Sequence, residues 1–99
     1  GSSFAQADLT ASSFARAACR DVNFAGAALA EGRFQRGDFA HATFTKANLC
    51  EADFERADLT MADLRGANLH GAETWKAKLA GANLDGSLLT RSSLKGPRA

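Results

Sequence analysis

Three side chains near the middle of the chain could form a catalytic or metal-binding group. Cys50 and Glu51 are adjacent, and His70 follows twenty residues after Cys50. A cysteine beside a histidine base can act as a thiol nucleophile, and all three residue types are also zinc ligands. A structural zinc site needs a fourth ligand, which the sequence does not supply at a suitable spacing. The chemistry therefore depends on whether the fold brings the three side chains into a pocket.

Short acidic and amide side chains recur along the chain and could form an array for metal binding or acid–base catalysis. The alternative is structural, because Asp and Asn side chains accept hydrogen bonds from neighbouring backbone at turns. We favour the structural interpretation, since these residues occupy one repeated position. The members of the array are Asp38, Asn48, Asp53, Asp58, Asp63, Asn68 and Asn83.

Four cations spaced twenty residues apart form a candidate contact surface. A stripe of stacked cations would attract an acidic partner, but like charges repel unless carboxylates compensate them. The carboxylates near in sequence are Asp38, Asp53, Glu55 and Asp58, so local salt bridges at a solvated corner are the simpler interpretation. The four cations are Arg16, Arg36, Arg56 and Lys76.

Trp75 is the other candidate contact residue, because tryptophan is enriched at protein interfaces. Its ring could instead lie flat over neighbouring side chains, and both interpretations stay open. Leu88 is a second apolar residue outside the main hydrophobic pattern, but a single exposed leucine carries no functional meaning. His41 is expected to be an ordinary surface residue.

A period of five residues governs the large apolar side chains. A helix would turn each successive member by about 140° around its axis, and a strand would place them on alternate faces. Neither regular element buries such a pattern. Thr74 is a polar exception in the series, which otherwise forms the predicted core: Phe4, Leu9, Phe14, Cys19, Phe24, Leu29, Phe34, Phe39, Phe44, Leu49, Phe54, Leu59, Leu64, Leu69, Leu79, Leu84, Leu89 and Leu94.

Small residues occupy a second register, two positions before each large one. Alanine fills it at every fifth position from Ala42 to Ala82. Residues two apart point the same way on a strand, so each pair can face one interior. The three remaining residues must then turn the chain before the next pair. A chain that turns the same way every five residues winds into a solenoid.

The repeated unit resembles the pentapeptide-repeat family, whose pattern is approximately Ala, Asp or Asn, Leu or Phe, and two variable residues. It stands here as Ala47-Asn48-Leu49, Ala52-Asp53-Phe54, Ala57-Asp58-Leu59, Ala62-Asp63-Leu64, Ala67-Asn68-Leu69 and Ala82-Asn83-Leu84. The resemblance covers essentially the whole chain. It implies an all-β fold, a right-handed quadrilateral β-helix with four repeats per coil and nearly five coils.

This coil predicts the orientation of several residues. Thr74 should point inward and Trp75 outward, because Leu79 resumes the series without a change of phase. Cys19 should be buried, and Cys50 should lie on an outer wall beside His70, so a disulfide between the two cysteines is not expected. A convex wall offers no pocket to Cys50, Glu51 and His70, and we assign no catalytic, metal or cofactor-binding residue.

Composition narrows the class of protein. Residues 1–99 are expected to form one domain, with Gly1-Ser2 as a cloning remnant and residues 95–99 as a frayed tail. Twelve basic residues against eleven acidic ones give a net charge of +1, which disfavours direct nucleic-acid binding. No apolar run has the length of a membrane span, and we expect a cytoplasmic protein of bacterial type. Open coil ends permit an end-to-end homo-oligomer.

Two functions fit these observations. The first is a non-enzymatic scaffold or protein–protein interaction module of a longer protein, with an unidentified protein partner and no cofactor. The second follows only from the resemblance, since some pentapeptide-repeat proteins mimic DNA and inhibit DNA gyrase, which gives quinolone resistance. Those relatives are strongly acidic, whereas this chain is close to neutral.

Overall fold

The computed structural model describes residues 3–92, and these residues form a β-helix. Each β-bridge is parallel and joins two residues that are twenty apart, from Ser3 with Asn23 to Asn68 with Leu88. One turn of the coil therefore contains twenty residues, or four repeats. Gly1, Ser2, the predicted core residue Leu94 and the predicted tail 95–99 lie outside the described residues.

The regular structure in residues 3–92 consists of single-residue bridges at every fifth position, without a helix or a longer strand. The repeat around Phe24 shows why the bridges are short. The Phe24 N–H donates to the carbonyl of Thr43 in the next coil (2.7 Å), and the Ala28 N–H donates to the carbonyl of Ala7 in the previous one (2.8 Å). Between these bonds the chain turns a corner, so no wall is long enough for an extended strand.

A tight turn with a positive φ angle makes each corner. In the repeat of Phe24, the Ala27 N–H donates to the Phe24 carbonyl (3.0 Å), and Gly26 has φ +67°. This combination is typical of a type II turn, which requires positive φ at its third residue. The same position has positive φ throughout residues 3–92, and most of the residues there are not glycine. Inter-coil hydrogen bonds hold these strained corners, as between the Arg36 N–H and the Glu55 carbonyl (2.9 Å).

Aromatic stacks fill the middle of the coil. Phe24 stacks on Phe44 with ring centroids 5.0 Å apart, and Phe34 stacks on Phe54 at 4.6 Å. The two stacks meet edge to face, as between Phe44 and Phe54 at 5.9 Å and 87°. Each layer is thus packed both along the axis and across it.

Burial of the predicted core falls from the middle of the rod to its ends. The buried members are Cys19, Phe24, Leu29, Phe34, Phe39, Phe44, Leu49, Phe54, Leu59, Leu64 and Leu69. The partly buried members are Phe4, Leu9, Phe14, Leu79, Leu84 and Leu89. The end coils have a neighbouring coil on one side only among the described residues, which explains the difference.

The second inward register holds small residues at every described position except Val22, because the rings of the first register crowd it. Ala42 and Ala57 are fully buried. At Gly32, a Cβ atom would lie 2.7 Å from Cε2 of Phe34, and at Gly37 it would collide with the ring of Phe39. Glycine therefore replaces alanine where a phenylalanine ring folds back over the small position.

The rod is longer than it is wide, with principal extents of 33 × 20 × 19 Å. Its two shorter extents are almost equal. The polar exception in the core series lies where the repeat predicts it, since Thr74 is buried and Trp75 is 52% exposed.

Candidate functional site

The coil brings the four predicted cations onto one corner. Arg16, Arg36, Arg56 and Lys76 are all exposed, and each occupies the positive-φ position of its turn (φ 61°, 59°, 59° and 58°). Because the positions are twenty apart, the side chains leave successive coils one above another. We call these four residues together with Trp75 the tryptophan corner.

Trp75 lies between two cations of this corner. Its ring centroid is 5.0 Å from Cζ of Arg56 and 4.8 Å from Nζ of Lys76. Both distances are within the range of attractive cation–π contacts. The backbone is also fixed, because the Trp75 N–H donates to Oε2 of Glu73 (3.0 Å) and its carbonyl accepts from the Arg56 N–H (2.8 Å). The ring therefore rests on neighbouring side chains, as one of the two alternatives expected, while Trp75 as a whole remains 52% exposed and its role in binding a partner stays a prediction.

The cations of the corner are poorly compensated. Within residues 3–92, the single ion pair of the corner joins Arg56 to Glu55 at 4.0 Å. The expectation that Asp38 compensates Arg36 is wrong, because Asp38 pairs with Arg20 at 3.4 Å. Neither Arg20 nor Asp38 belongs to the column of four cations.

The other nearby carboxylates are also engaged elsewhere. Asp53 accepts hydrogen bonds from the Glu55 N–H (3.0 Å) and from Nε2 of Gln35 (2.9 Å). Asp58 accepts from the Thr60 N–H (3.0 Å), and hydrogen bonds with Thr60 lower the pKa of the Asp58 carboxyl. Within residues 3–92, neither Asp53 nor Asp58 forms an ion pair with a cation of the corner.

The repeated Asp and Asn side chains serve the turns. Asp38 accepts from the Ala40 N–H at 3.1 Å, and Asn68 accepts from the His70 N–H at 3.0 Å. In each case the acceptor precedes the core residue and the donor follows it. The structural interpretation of this array is thus confirmed. Within residues 3–92, no cluster of His, Cys, Asp and Glu side chains could hold a metal ion.

Asp63 adds a second interaction to the same turn. Its carboxylate forms a fork with Arg65, through Nε at 2.8 Å and Nη2 at 2.6 Å. The Arg65 hydrogen bond lowers the pKa of Asp63, and the same bond raises the pKa of Arg65. Thr45, Lys46, Arg65 and Gly66 line a shallow groove beside this pair. Arg65 is already held by Asp63, which leaves the groove without a free guanidinium.

The structure describes the surroundings of Cys50, Glu51 and His70. Nδ1 of His70 lies 3.2 Å from Oγ1 of Thr90, on the side away from Cys50. In the described part of the chain, the Cys50 thiol makes no hydrogen bond to His70 or Glu51. Both cysteines are free thiols. Cys19 is buried, and burial, followed by the charge of Asp38, raises the pKa of its thiol.

Sequence reasoning missed Met61, which is 52% exposed. Its side chain lies over Gly81 in the next coil, where a Cβ atom would collide with its sulfur. The sequence pattern could have predicted this exposure, because Met61 follows the core residue Leu59 by two positions and therefore lies at a corner. Leu88 is 49% exposed, and His41 is exposed at another corner. Residues 3–92 contain no helix that could cross a membrane.

Comparison with known proteins gives consistent matches. Residues 33–71 match the family model described as pentapeptide repeats, in eight copies. A pentapeptide repeat protein, Rfr23, from the cyanobacterium Cyanothece 51142 is 26% identical, with a TM-score of 0.79 over 82% of this chain. One from the Arabidopsis thaliana thylakoid lumen is 25% identical, with a TM-score of 0.59 over 95% of this chain and 69% of its own.

A third pentapeptide repeat protein, from Nostoc PCC 7120, is 34% identical, with a TM-score of 0.50. The match covers 81% of this chain and 62% of the Nostoc protein. The chain spans only 56% of the length of the Cyanothece protein. Comparison with curated proteins gives no significant match.

Proposed function

Because this chain belongs to the pentapeptide-repeat family, we propose that it is a non-enzymatic protein-interaction module whose contact surface is the tryptophan corner. The observation that carries the proposal is Trp75, which is 52% exposed yet held between Arg56 and Lys76. A large ring with restricted motion loses little conformational entropy on binding. Such residues are frequent centres of binding energy in protein interfaces.

The fold supports a binding role over a catalytic one. We take the coil to be right-handed and square in section, with nearly five turns. Its interior is filled by phenylalanine and leucine, as at Phe34, Phe54 and Leu49, which are fully buried. The side chains that could meet a partner therefore lie on convex walls and corners, where repeat proteins usually bind over extended surfaces.

The DNA-mimic alternative predicts a different surface. A protein that replaces DNA on gyrase needs a dense negative field, whereas this chain carries a net charge of +1 and a corner of four cations. A gyrase supercoiling assay separates the two functions. We expect no inhibition. Inhibition at low micromolar protein would favour the DNA mimic over the interaction module.

A photo-crosslinking experiment tests the proposed surface. A benzophenone amino acid is placed at position 75 in one variant and at position 88 in another, in the longest form of the protein available. Leu88 is a matched control, because it is 49% exposed and belongs to a different wall. We expect a discrete crosslinked partner from position 75 in an extract of the source cell, and none from position 88.

Competition makes the result specific. Excess unmodified protein should abolish the crosslink at position 75, whereas excess Trp75→Ala protein should not. Thermal unfolding of both variants checks that the rod stays folded. Identical crosslinks from the two positions, or no crosslink from position 75, would contradict the proposed surface.

A further inference from the structure

We propose that the tryptophan corner binds an acidic α-helix lying along the axis of the rod. This inference rests on the proposed function and adds the chemical class of the partner. It is drawn from the spacing of the cations, from their scarcity of ion pairs within residues 3–92 and from the position of Trp75 within the column.

The spacing of the cations matches a helix. Neighbouring coils are separated by about 4.8 Å, the usual distance between β-strands. The stacked rings agree, since Phe34 and Phe54 are 4.6 Å apart and Phe24 and Phe44 are 5.0 Å apart. Four cations thus span about 14 Å, whereas three turns of an α-helix span about 16 Å.

An extended acidic peptide fits less well. Alternate residues of a strand repeat at about 6.7 Å, so four carboxylates on one face span about 20 Å. The excess over the cation column is about 6 Å, compared with about 2 Å for the helix. Long arginine side chains can absorb the smaller difference without leaving the corner.

The column of cations has few carboxylates of its own within residues 3–92. In the described residues, Arg16, Arg36 and Lys76 make no ion pair, and Glu55 reaches Arg56 only at 4.0 Å. Cations stacked at this distance repel one another. A helix that presents one carboxylate per turn removes the repulsion. Arginine adds geometric preference, because its planar fork binds a carboxylate through two N–H groups.

Trp75 fixes where the helix lies. The ring borders only the Arg56 and Lys76 end of the column, so an apolar residue of the partner has one position at which to pack. The cation–π contacts also hold both charges close to that position. We therefore expect the partner helix to carry one apolar residue next to its line of glutamates or aspartates.

Binding of a synthetic peptide tests the inference. The probe is a labelled peptide of roughly 18 residues with glutamate at one position per turn, a single leucine beside that line, and alanine and glutamine elsewhere. The matched probe has proline in place of a central alanine, which breaks the helix but keeps the charge. Fluorescence anisotropy measures both at low ionic strength, together with a single-stranded oligonucleotide of equal charge.

We expect the helical peptide to bind at least about tenfold more tightly than the proline peptide and the oligonucleotide. Arg36→Glu and Trp75→Ala should each weaken its binding at least about tenfold. Lys46→Glu is the control, because Lys46 is an exposed cation at positive φ (57°) on another corner. That variant should change the affinity for the helical peptide by less than about twofold.

Three results would overturn the inference. They are equal binding of the proline peptide, tighter binding of the oligonucleotide, and unchanged binding by Arg36→Glu. If no acidic peptide binds while position 75 still gives its specific crosslink, the inference is wrong and the proposed function stands. If the crosslink is absent as well, both are wrong.

Discussion

The indole ring of Trp75 lies against the guanidinium group of Arg56, which belongs to the preceding coil, with Cζ 5.0 Å from the ring centroid. The Arg56 N–H also donates to the Trp75 carbonyl at 2.8 Å. Backbone and side chain thus join the same two residues. We expect this pairing to restrict the motion of an exposed aromatic residue.

Removal of the guanidinium should free the ring. We expect Arg56→Ala to increase acrylamide quenching of the fluorescence of Trp75, the single tryptophan of the chain. The loss of stability should be about 0.5–1 kcal/mol, the usual strength of an exposed cation–π contact. Arg36→Ala is the control, because it removes the same charge from the same column without touching the ring. Equal quenching in both variants would show that Arg56 does not order Trp75.

Crowding at the small inward register gives a prediction about stability. A Cβ atom at Gly32 would lie 2.7 Å from the Phe34 ring, so Gly32→Ala should destabilise the fold by about 1–3 kcal/mol. Gly86→Ala should cost less, at most about 1 kcal/mol. Its Cβ would meet its nearest atom at 3.8 Å, and Ala11 already adopts the same corner conformation at φ 62°. Urea unfolding measures both, and the reverse order of costs would contradict the packing argument.

Much of this arrangement could be predicted from the repeat in the sequence. The period of five sets which side chains face the axis, and a step of four repeats then stacks Arg36 on Arg16 and places Trp75 beside Arg56. The burial of Thr74 follows from the same phase. These relations depend only on the backbone path, which the repeat specifies strongly.

The choice of charged partners did not follow from the repeat. Asp38 pairs with Arg20 and not with Arg36, and Arg65 binds Asp63 two residues away. Arginine side chains have several rotatable bonds and can reach carboxylates on either side of a corner. Sequence spacing therefore limits the possible partners without selecting one.

Acid should destabilise the rod through its turns. Hydrogen bonds with Thr60 lower the pKa of Asp58, and Arg65 lowers the pKa of Asp63. A carboxyl whose pKa is lower in the folded state stabilises the fold above its unfolded pKa of about 4. That stability is lost as the pH falls through the folded pKa. We therefore expect the melting temperature to fall below about pH 4.

Two variants test the assignment of this acid sensitivity. Asp63→Asn should reduce stability at pH 7 by about 1 kcal/mol or less, as for a partly exposed ion pair, and should weaken the pH dependence. Asp21→Asn should change neither, because the Asp21 carboxylate makes no hydrogen bond or ion pair within residues 3–92. An acid transition unaffected by Asp63→Asn would assign the sensitivity to other carboxyl groups.

The two thiols should react at different rates because the fold exposes only one of them. Cys19 is 8% exposed and burial raises its pKa, so its thiolate is scarce and inaccessible. Cys50 is half-buried on an outer wall and should react with Ellman's reagent at about the rate of an ordinary accessible thiol. Cys50→Ser should therefore remove the fast phase and leave the slow one.

His70→Ala separates an ordinary thiol from an activated one. Nδ1 of His70 lies 3.2 Å from Oγ1 of Thr90, and within residues 3–92 the Cys50 thiol makes no hydrogen bond to the imidazole, so we expect His70 not to activate Cys50. At each pH between about 6 and 9, Cys50 of the variant should react with Ellman's reagent at the same rate as Cys50 of the unmodified protein. A drop of about tenfold or more at pH 7, together with a shift of the rate profile to higher pH, would restore the Cys50 and His70 pair as a nucleophile and its base.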